Sequence, residues 1–246
     1  MNYWSRKDEL AKKAVIHTKE MSKKYKSEIA LSIENTKFYD RQPDLETSGD
    51  LPKIEIVDLD SVSAIHKYSS ENMAVLNFAS YKFPGGGFMR GSSAQEEALC
   101  QHSYLYNVIS NFDKTVYEWN RNNLNKGMYL NRGLYSPDIM FDDRTKCSVI
   151  TVPAPNKSVM LKYGNFTEEE NAKALINRVK FIIDIATENN VKTLILGAFG
   201  CGVFKQDPFE VATLFKKVLR GGSFDKVVFA IPRGTNYNAF KGVFKA

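Results

Sequence analysis

The chain has 246 residues, 34 of them Lys or Arg and 28 Asp or Glu, for a formal charge of +6, with 43% apolar and 12% aromatic residues. These values fit an ordinary globular domain and exclude disorder, collagen-like repeats and coiled coil. The longest uncharged apolar stretches, such as Thr193 to Phe204, fall short of the roughly 18 residues of a membrane helix, and Met1 to Leu10 is polar where a secretory signal has an apolar core. A cytoplasmic protein with no membrane partner is expected. Cys100, Cys147 and Cys201 are odd in number and form no C-x-x-C pair, which suits free thiols in a reducing compartment rather than disulfides or a zinc site.

Along the chain, residues 1 to 26 hold eight basic and three acidic side chains, so most of the net charge is local. Ser5 reads as the cap of a helix in which Leu10, Ala14, His17 and Met21 share one face, with lysines on the other. Such a face could touch a polyanion, although a solvated face on a docked helix is the commoner case. Asp40 to Pro52 reads as a loop. Beyond it, short β-branched runs alternate with helical stretches, which predicts an α/β fold with strands at Lys53 to Leu59, Ala74 to Ala79, Ser148 to Val152, Thr193 to Gly197 and Lys226 to Ile231. Residues 129 to 145 leave room for another strand and an irregular loop. Thr167 with Glu170 forms a capping box, and Asp207 before Pro208 opens a further helix. The expected organisation is a basic N-terminal segment, 1–52, packed on one main domain, 53–246.

Two loops carry the chemical signal. Asn77 to Ala79 ends an apolar strand, Pro84-Gly85-Gly86-Gly87 follows, and Gln95-Glu96-Glu97 stands in the first turn of a helix that Ser93 and Glu96 are expected to cap and that should run toward Tyr106. Leu194 to Leu196 likewise leads into Gly197-Ala198-Phe199-Gly200-Cys201-Gly202-Val203-Phe204. In open α/β sheets ligands bind beyond the carboxyl ends of the strands, and helix amino ends suit phosphate, so two such loops side by side would hold the diphosphate of a dinucleotide or nucleoside diphosphate. Neither matches G-x-G-x-x-G, and no Walker A sequence is present, which removes support for NAD redox chemistry and ATP hydrolysis. A glycine loop alone serves turns as readily as ligands, and first-turn glutamates commonly only complement the helix dipole; their adjacency carries the functional reading.

The segments Asn77 to Ala79, Pro84 to Gly87 and Ala94 to Leu99 together resemble the signature of microbial-type poly(ADP-ribose) glycohydrolases, a branch of the ADP-ribose-binding macrodomains. The likeness continues through Ser103 to Tyr106, Val152 to Asn156, Gly197 to Phe204, Asp207-Pro208 and Phe229 to Ile231, spanning roughly residues 53 to 240. Arg90, Lys205 and Gln206 depart from it. The resemblance implies a single three-layer α/β/α domain with a mixed central sheet and an N-terminal helical extension. It implies hydrolysis of ribose-ribose O-glycosidic bonds without a metal or cofactor: Glu97 protonates the leaving 2′-oxygen and then activates water, and Glu96 holds the ribose hydroxyls. Adjacent glutamates cannot flank a sugar, so the ligand's own diphosphate would orient the water.

On the same resemblance Gly85, Gly86, Gly87 and Gln95 line one side of the ligand, and Gly200, Cys201, Gly202 and Val203 the other. Phe204 packs on the ribose, or is a core aromatic; Asn77 bonds the ribose, or satisfies a turn. The expected ligand is ADP-ribose or its polymer, with ADP-ribosylated protein as a substrate, nucleic acid unsupported as a partner, and a monomeric state. The alternatives are a macrodomain that binds ADP-ribose without cleaving it, and a glycohydrolase acting on mono-ADP-ribose attached to protein or nucleic acid. Cys201 has no motif-bearing histidine to activate it, and Cys100 and His102 lie on different helix faces, so neither a thiol nucleophile nor a metal pair is expected. His66 reads as an ordinary helix residue.

Overall fold

The computed structural model describes residues 3–46, 48–164 and 166–245. In chain order the elements are α1 (Tyr3–Lys24), α2 (Lys26–Asn35), β1 (Lys37–Asp40), β2 (Lys53–Val57), α3 (Ser61–Lys67), β3 (Met73–Phe78), α4 (Gln95–Gln101), α5 (Leu105–Ile109), α6 (Glu118–Asn122), β4 (Arg132–Phe141), β5 (Thr145–Val152), α7 (Lys157–Tyr163), α8 (Glu168–Glu188), β6 (Thr193–Leu196), α9 (Pro208–Val218), β7 (Lys226–Ala230) and α10 (Thr235–Lys245). The strands form one sheet in the order β1-β4-β5-β3-β6-β7-β2. Five neighbouring strands, β5 to β2 in that order, run parallel, and β1 and β4 close one edge antiparallel.

Alternation along the buried strands divides the core into two layers. Ala74 and Leu76 of β3 pack with Val179, Ile182 and Phe215 of α8 and α9. Met73 and Val75 pack on the other face with Leu99, Leu105 and Val108 of α4 and α5. Successive strand side chains point to opposite faces, so a parallel strand covered by helices on both sides is apolar throughout. The expected capping box of α8 is present: Glu170 N–H donates to Thr167 Oγ1 at 3.1 Å, and Thr167 N–H to Glu170 Oε2 at 2.7 Å. Asp207 caps α9 through the N–H groups of Phe209 and Glu210.

Several boundaries differ from the sequence reading. Helix α1 begins at Tyr3, so Ser5 lies within it rather than at its cap, and the Ser5 side chain is outside the described residues. Leu10, Ala14, His17 and Met21 do face the protein while Lys12, Lys13, Lys19 and Lys23 face outward, as the amphipathic pattern predicts. The segment 1–52 also contains an unforeseen strand: β1 pairs with β4 as a sheet edge. Four residues with one buried side chain, Tyr39, leave too little periodicity to read. Residues 129 to 145 form most of a hairpin, bulged between Ser136 and Ile139 and turned at Asp142 and Asp143, both in the left-handed region. Asp tolerates that conformation, which lets the apparent loop be a tight turn.

Helix α1 packs directly on the first glycine loop. Gly91, at φ +73°, is so close to α1 that a Cβ there would sit 2.0 Å from the Lys7 carbonyl oxygen. A buried cation holds the backbone that follows β5. Arg178 of α8 is 1% exposed. It donates to the carbonyl oxygens of Pro153 and Met128 and, at 2.8 Å, to Asn131 Oδ1, with no carboxylate partner among the described residues. Burial lowers its proton affinity to a pKa of about 10, so it stays charged at neutral pH. Replacing it leaves several buried acceptors unpaired: Arg178→Met should lower unfolding stability by about 3 kcal/mol, read from urea midpoints at constant m value.

Candidate active site

Strands β3 and β6 are parallel neighbours, so the loops that follow them leave the same edge of the sheet side by side. Between them lies a cavity of about 630 Å³, within the range of small-molecule sites. Of the expected ligand residues, Gln95, Gly200, Gly202, Val203 and Phe204 line it. Val203 is 77% exposed at its mouth, and Phe204 packs edge-on to Tyr129 with ring centroids 6.1 Å apart. The far end is lined by Asp60, Ser61, Val62, Ile231, Pro232 and Asn236, none of which the sequence reading named as a ligand residue. No motif marks them: they come from two segments, 60–62 and 231–236, that meet only because β7 and β2 are paired.

Glu96 and Glu97 lie under the first loop, 3% and 8% exposed. Helix α4 is capped one residue later than expected. Ala94 is the N-cap and Glu97 the third helical residue, whose Oε2 accepts the Ala94 N–H at 2.8 Å; the predicted Ser93–Glu96 box does not form. The register matters because it turns Glu97 back over the helix start. Its other oxygen, Oε1, accepts the Gly87 N–H at 2.7 Å. Ala94 lines the cavity, so the Glu97 carboxylate stands one hydrogen bond behind the cavity wall. The helix also stops at Gln101 and resumes at Leu105 rather than running to Tyr106; Ser103 Oγ donates to the Leu99 carbonyl across that break.

Glu96 points the other way, into the end of β3. Its Oε2 accepts the Ser80 N–H at 2.7 Å, and its Oε1 a bond from Asn77 Nδ2 at 3.2 Å. Asn77 is fully buried and also reaches Thr151 Oγ1, so it sits beneath Glu96 rather than on the cavity wall, and its Oδ1 has no partner. Gln95 lines the cavity with its amide already engaged. It accepts the Phe78 N–H and donates to the Leu76 carbonyl and Ser61 Oγ, which fastens α4 to β3 and α3. Burial pushes the Glu96 carboxyl up from 4.5 to about 8; the Ser80 and Asn77 donors oppose that rise, and the neighbouring Glu97 charge adds to it.

The two carboxylates converge on Gly86. A Cβ there would lie 2.7 Å from Glu97 Oε1 and 2.9 Å from Glu96 Oε2, and Gly86 has φ +59°. Gly86 is therefore the member of the triplet whose missing side chain lets two acids approach one point. The acids face that point together instead of flanking the cavity, which excludes the usual two-sided carboxylate arrangement of glycosidases. Gly85, Gly86, Gly87 and Cys201 do not themselves line the cavity. Burial raises the Cys201 thiol to about 12, against a nucleophilic role. His66 and His102 both pair with Asp142 at 2.9 Å, away from the cavity. Among the described residues no group of three or more His, Cys, Asp or Glu could hold a metal ion, and no helix is long and apolar enough to cross a membrane.

A three-layer α/β/α sandwich with a ligand-sized cavity at the carboxyl edge of its parallel strands defines the macrodomain-like class. Residues 6–142 match the family model for the catalytic domain of microbial-type PARG, poly(ADP-ribose) glycohydrolase, and the chain belongs to that family. It is similar to poly(ADP-ribose) glycohydrolase from Deinococcus radiodurans in complex with ADP-ribose, at 28% identity and a TM-score of 0.79 over 89% of this chain and 98% of that one. The enzyme from Thermomonospora curvata bound to the inhibitor ADP-HPD is similar at 26% identity and a TM-score of 0.82, over 96% and 99% of the two chains. No curated protein sequence matches the chain.

Two outcomes follow from the convergence on Gly86. Gly86→Ala should destabilise the protein by about 1–3 kcal/mol, through left-handed strain and displacement of both carboxylates, and a thermal melt checks it. Glu96 binds its proton more tightly folded than unfolded, so its contribution to stability is largest at low pH, falls as pH rises from 4.5 to about 8, and is constant above that. Glu96→Gln, neutral at every pH, should remove this slope from denaturation curves taken between pH 5 and 8.

Proposed function

We propose that the protein hydrolyses the ribose-ribose O-glycosidic bonds of poly(ADP-ribose) and releases ADP-ribose, with Glu97 as acid and then base. The observation that carries this reading is the Glu97 carboxylate, buried beside a ligand-sized cavity and held at both oxygens by backbone N–H groups of Gly87 and Ala94. Each oxygen accepts one bond in this arrangement and keeps a second lone pair for the substrate. A module that only binds ADP-ribose has no use for an acid so placed. Family membership and the two ligand-bound relatives support the same activity.

On this reading the terminal ADP-ribose lies with its reacting ribose toward Gly86, its diphosphate along Gly200 and Gly202, and its adenine at the Asp60, Pro232 and Asn236 end. Glu97 gives a proton to the departing 2′-oxygen, and the C1–O bond opens through an oxocarbenium-like state. The same carboxylate then takes a proton from the water that adds to C1. Glu96, whose carboxyl burial pushes up to about 8 so that it is mostly protonated at neutral pH, holds the ribose hydroxyls while placing little second negative charge beside the diphosphate. Asn77 fixes Glu96 from below, and Phe204 covers the ribose. ADP-ribosylated proteins are the further substrates this site would clear, making the activity one of de-ADP-ribosylation. The unpaired Cys100, Cys147 and Cys201 support a cytoplasmic location, and the reading requires no cofactor and no second copy.

Incubation with automodified, polymer-bearing protein tests the assignment. Glu97→Gln should lose at least about a hundredfold in the rate of ADP-ribose release while keeping its calorimetric affinity for ADP-ribose; its melting temperature should fall, because the amide NH2 meets one of the two backbone N–H groups that the carboxylate accepts, and a chelator should leave the wild-type rate unchanged. Equal rates in both proteins would remove Glu97 from the chemistry.

A further inference from the structure

Outside the cavity, the loop that covers the glutamates carries a feature that packing does not account for. Phe83 is 39% exposed, and two guanidinium groups attend its ring: Arg90 at 4.8 Å and Arg121 at 5.7 Å from the centroid. This cluster is tied to the atoms around both acids. Gly86 N–H donates to the Phe83 carbonyl at 3.0 Å, and Arg90 Nη2 to the Gly86 carbonyl at 3.2 Å. Ser80, whose N–H holds Glu96, accepts through its hydroxyl from the Lys82 and Phe83 N–H groups. Arg121 is partly neutralised by Asp113 at 2.8 Å, and it anchors the loop through the Lys82 carbonyl. Arg90 has no carboxylate partner among the described residues, and both it and Phe83 face solvent. Neither Phe83 nor either arginine lines the main cavity.

We propose that Phe83, Arg90 and Arg121 form a docking subsite for the polymer unit on the leaving side of the scissile bond, the arginines meeting its diphosphate and the aromatic-guanidinium surface stacking its adenine. The proposal rests on the glycohydrolase reading above. Once the terminal unit fills the cavity with its ribose toward Gly86, the rest of the chain must continue outward past the loop that bears Gly86. A departing chain of this kind is a polyanion with an aromatic base in every unit. An exposed ring flanked by guanidinium groups is the surface that binds such a chain, because bases stack on aromatic rings and Arg planes while phosphates pair with the charge. A mere structural lock on Gly86 would need Arg90 but not an exposed phenyl ring.

Steady-state release of ADP-ribose from defined-length polymer, set beside calorimetric binding of free ADP-ribose, tests it. Phe83→Ala should raise KM for polymer roughly tenfold, within the range for losing one base stack, leaving kcat and the affinity for free ADP-ribose unchanged; Phe83→Trp should restore KM. Arg90→Gln should reduce the slope of log KM against log salt by about 0.7, the value for one lost phosphate contact on a single strand. Normal release by the wild type with an unchanged KM and salt slope in every variant overturns the subsite alone. A fall in kcat together with a lowered melting temperature makes Phe83 a packing residue and overturns it as well. No release by the wild type overturns the glycohydrolase reading on which it rests.

Discussion

The site depends on one constraint: two buried carboxylates must approach a single point, and only a residue without a side chain can occupy it. Gly86 lies within contact distance of both acids. A buried charge is tolerated only when hydrogen bonds replace its water. For Glu97 those bonds come from the N–H groups of Gly87 and Ala94, one on each side of the turn that leads into α4. The loop and the acid are therefore one unit, since the loop is shaped by the carboxylate and the carboxylate is held by the loop. Glu96 completes it from the strand side through Ser80 and Asn77.

The scaffold carries this unit from several directions. Gln95 stitches α4 to the end of β3, fixing where the first turn begins and hence which glutamate turns back toward Gly87. Helix α1 closes on the loop from outside, with Gly91 allowing backbone contact at Lys7. On the opposite wall Arg178 holds the carbonyl of Pro153, next to the cavity-lining Ala154. The N-terminal segment takes part in the fold at both ends: its first helix buttresses the first glycine loop, and its strand β1 finishes the sheet.

The legible parts of the sequence were those governed by local rules. Apolar β-branched runs located five strands to within a few residues, and Thr167 with Glu170, and Asp207 with Pro208, located two helix starts. The triple glycine followed by Gln95-Glu96-Glu97 pointed to the site because both close backbone approach and a charged helix start are written in residue type. Ser93 misled about the cap. It has the right chemistry, but the choice between Ser93 and Ala94 was made by Gln95 reaching Phe78 and Leu76, a contact seventeen to nineteen positions back along the chain. The short β1 was obscure because its partner β4 is distant in sequence, and β4, for which residues 129 to 145 left room, was blurred by its bulge and by the left-handed aspartates of its turn into β5.

By itself the sequence determined the alternation of α and β, the amphipathic face of α1, the two loops and the pair of acids, since periodicity, capping and glycine content act over a handful of residues. It took the assembled fold to decide that Glu97 and Glu96 look to different donors while sharing Gly86, that burial raises the proton affinity of Glu96, and that 60–62 and 231–236 close the far end of the cavity. Those outcomes depend on desolvation and on distances between segments remote in the chain, and neither quantity exists until the sheet has brought them together.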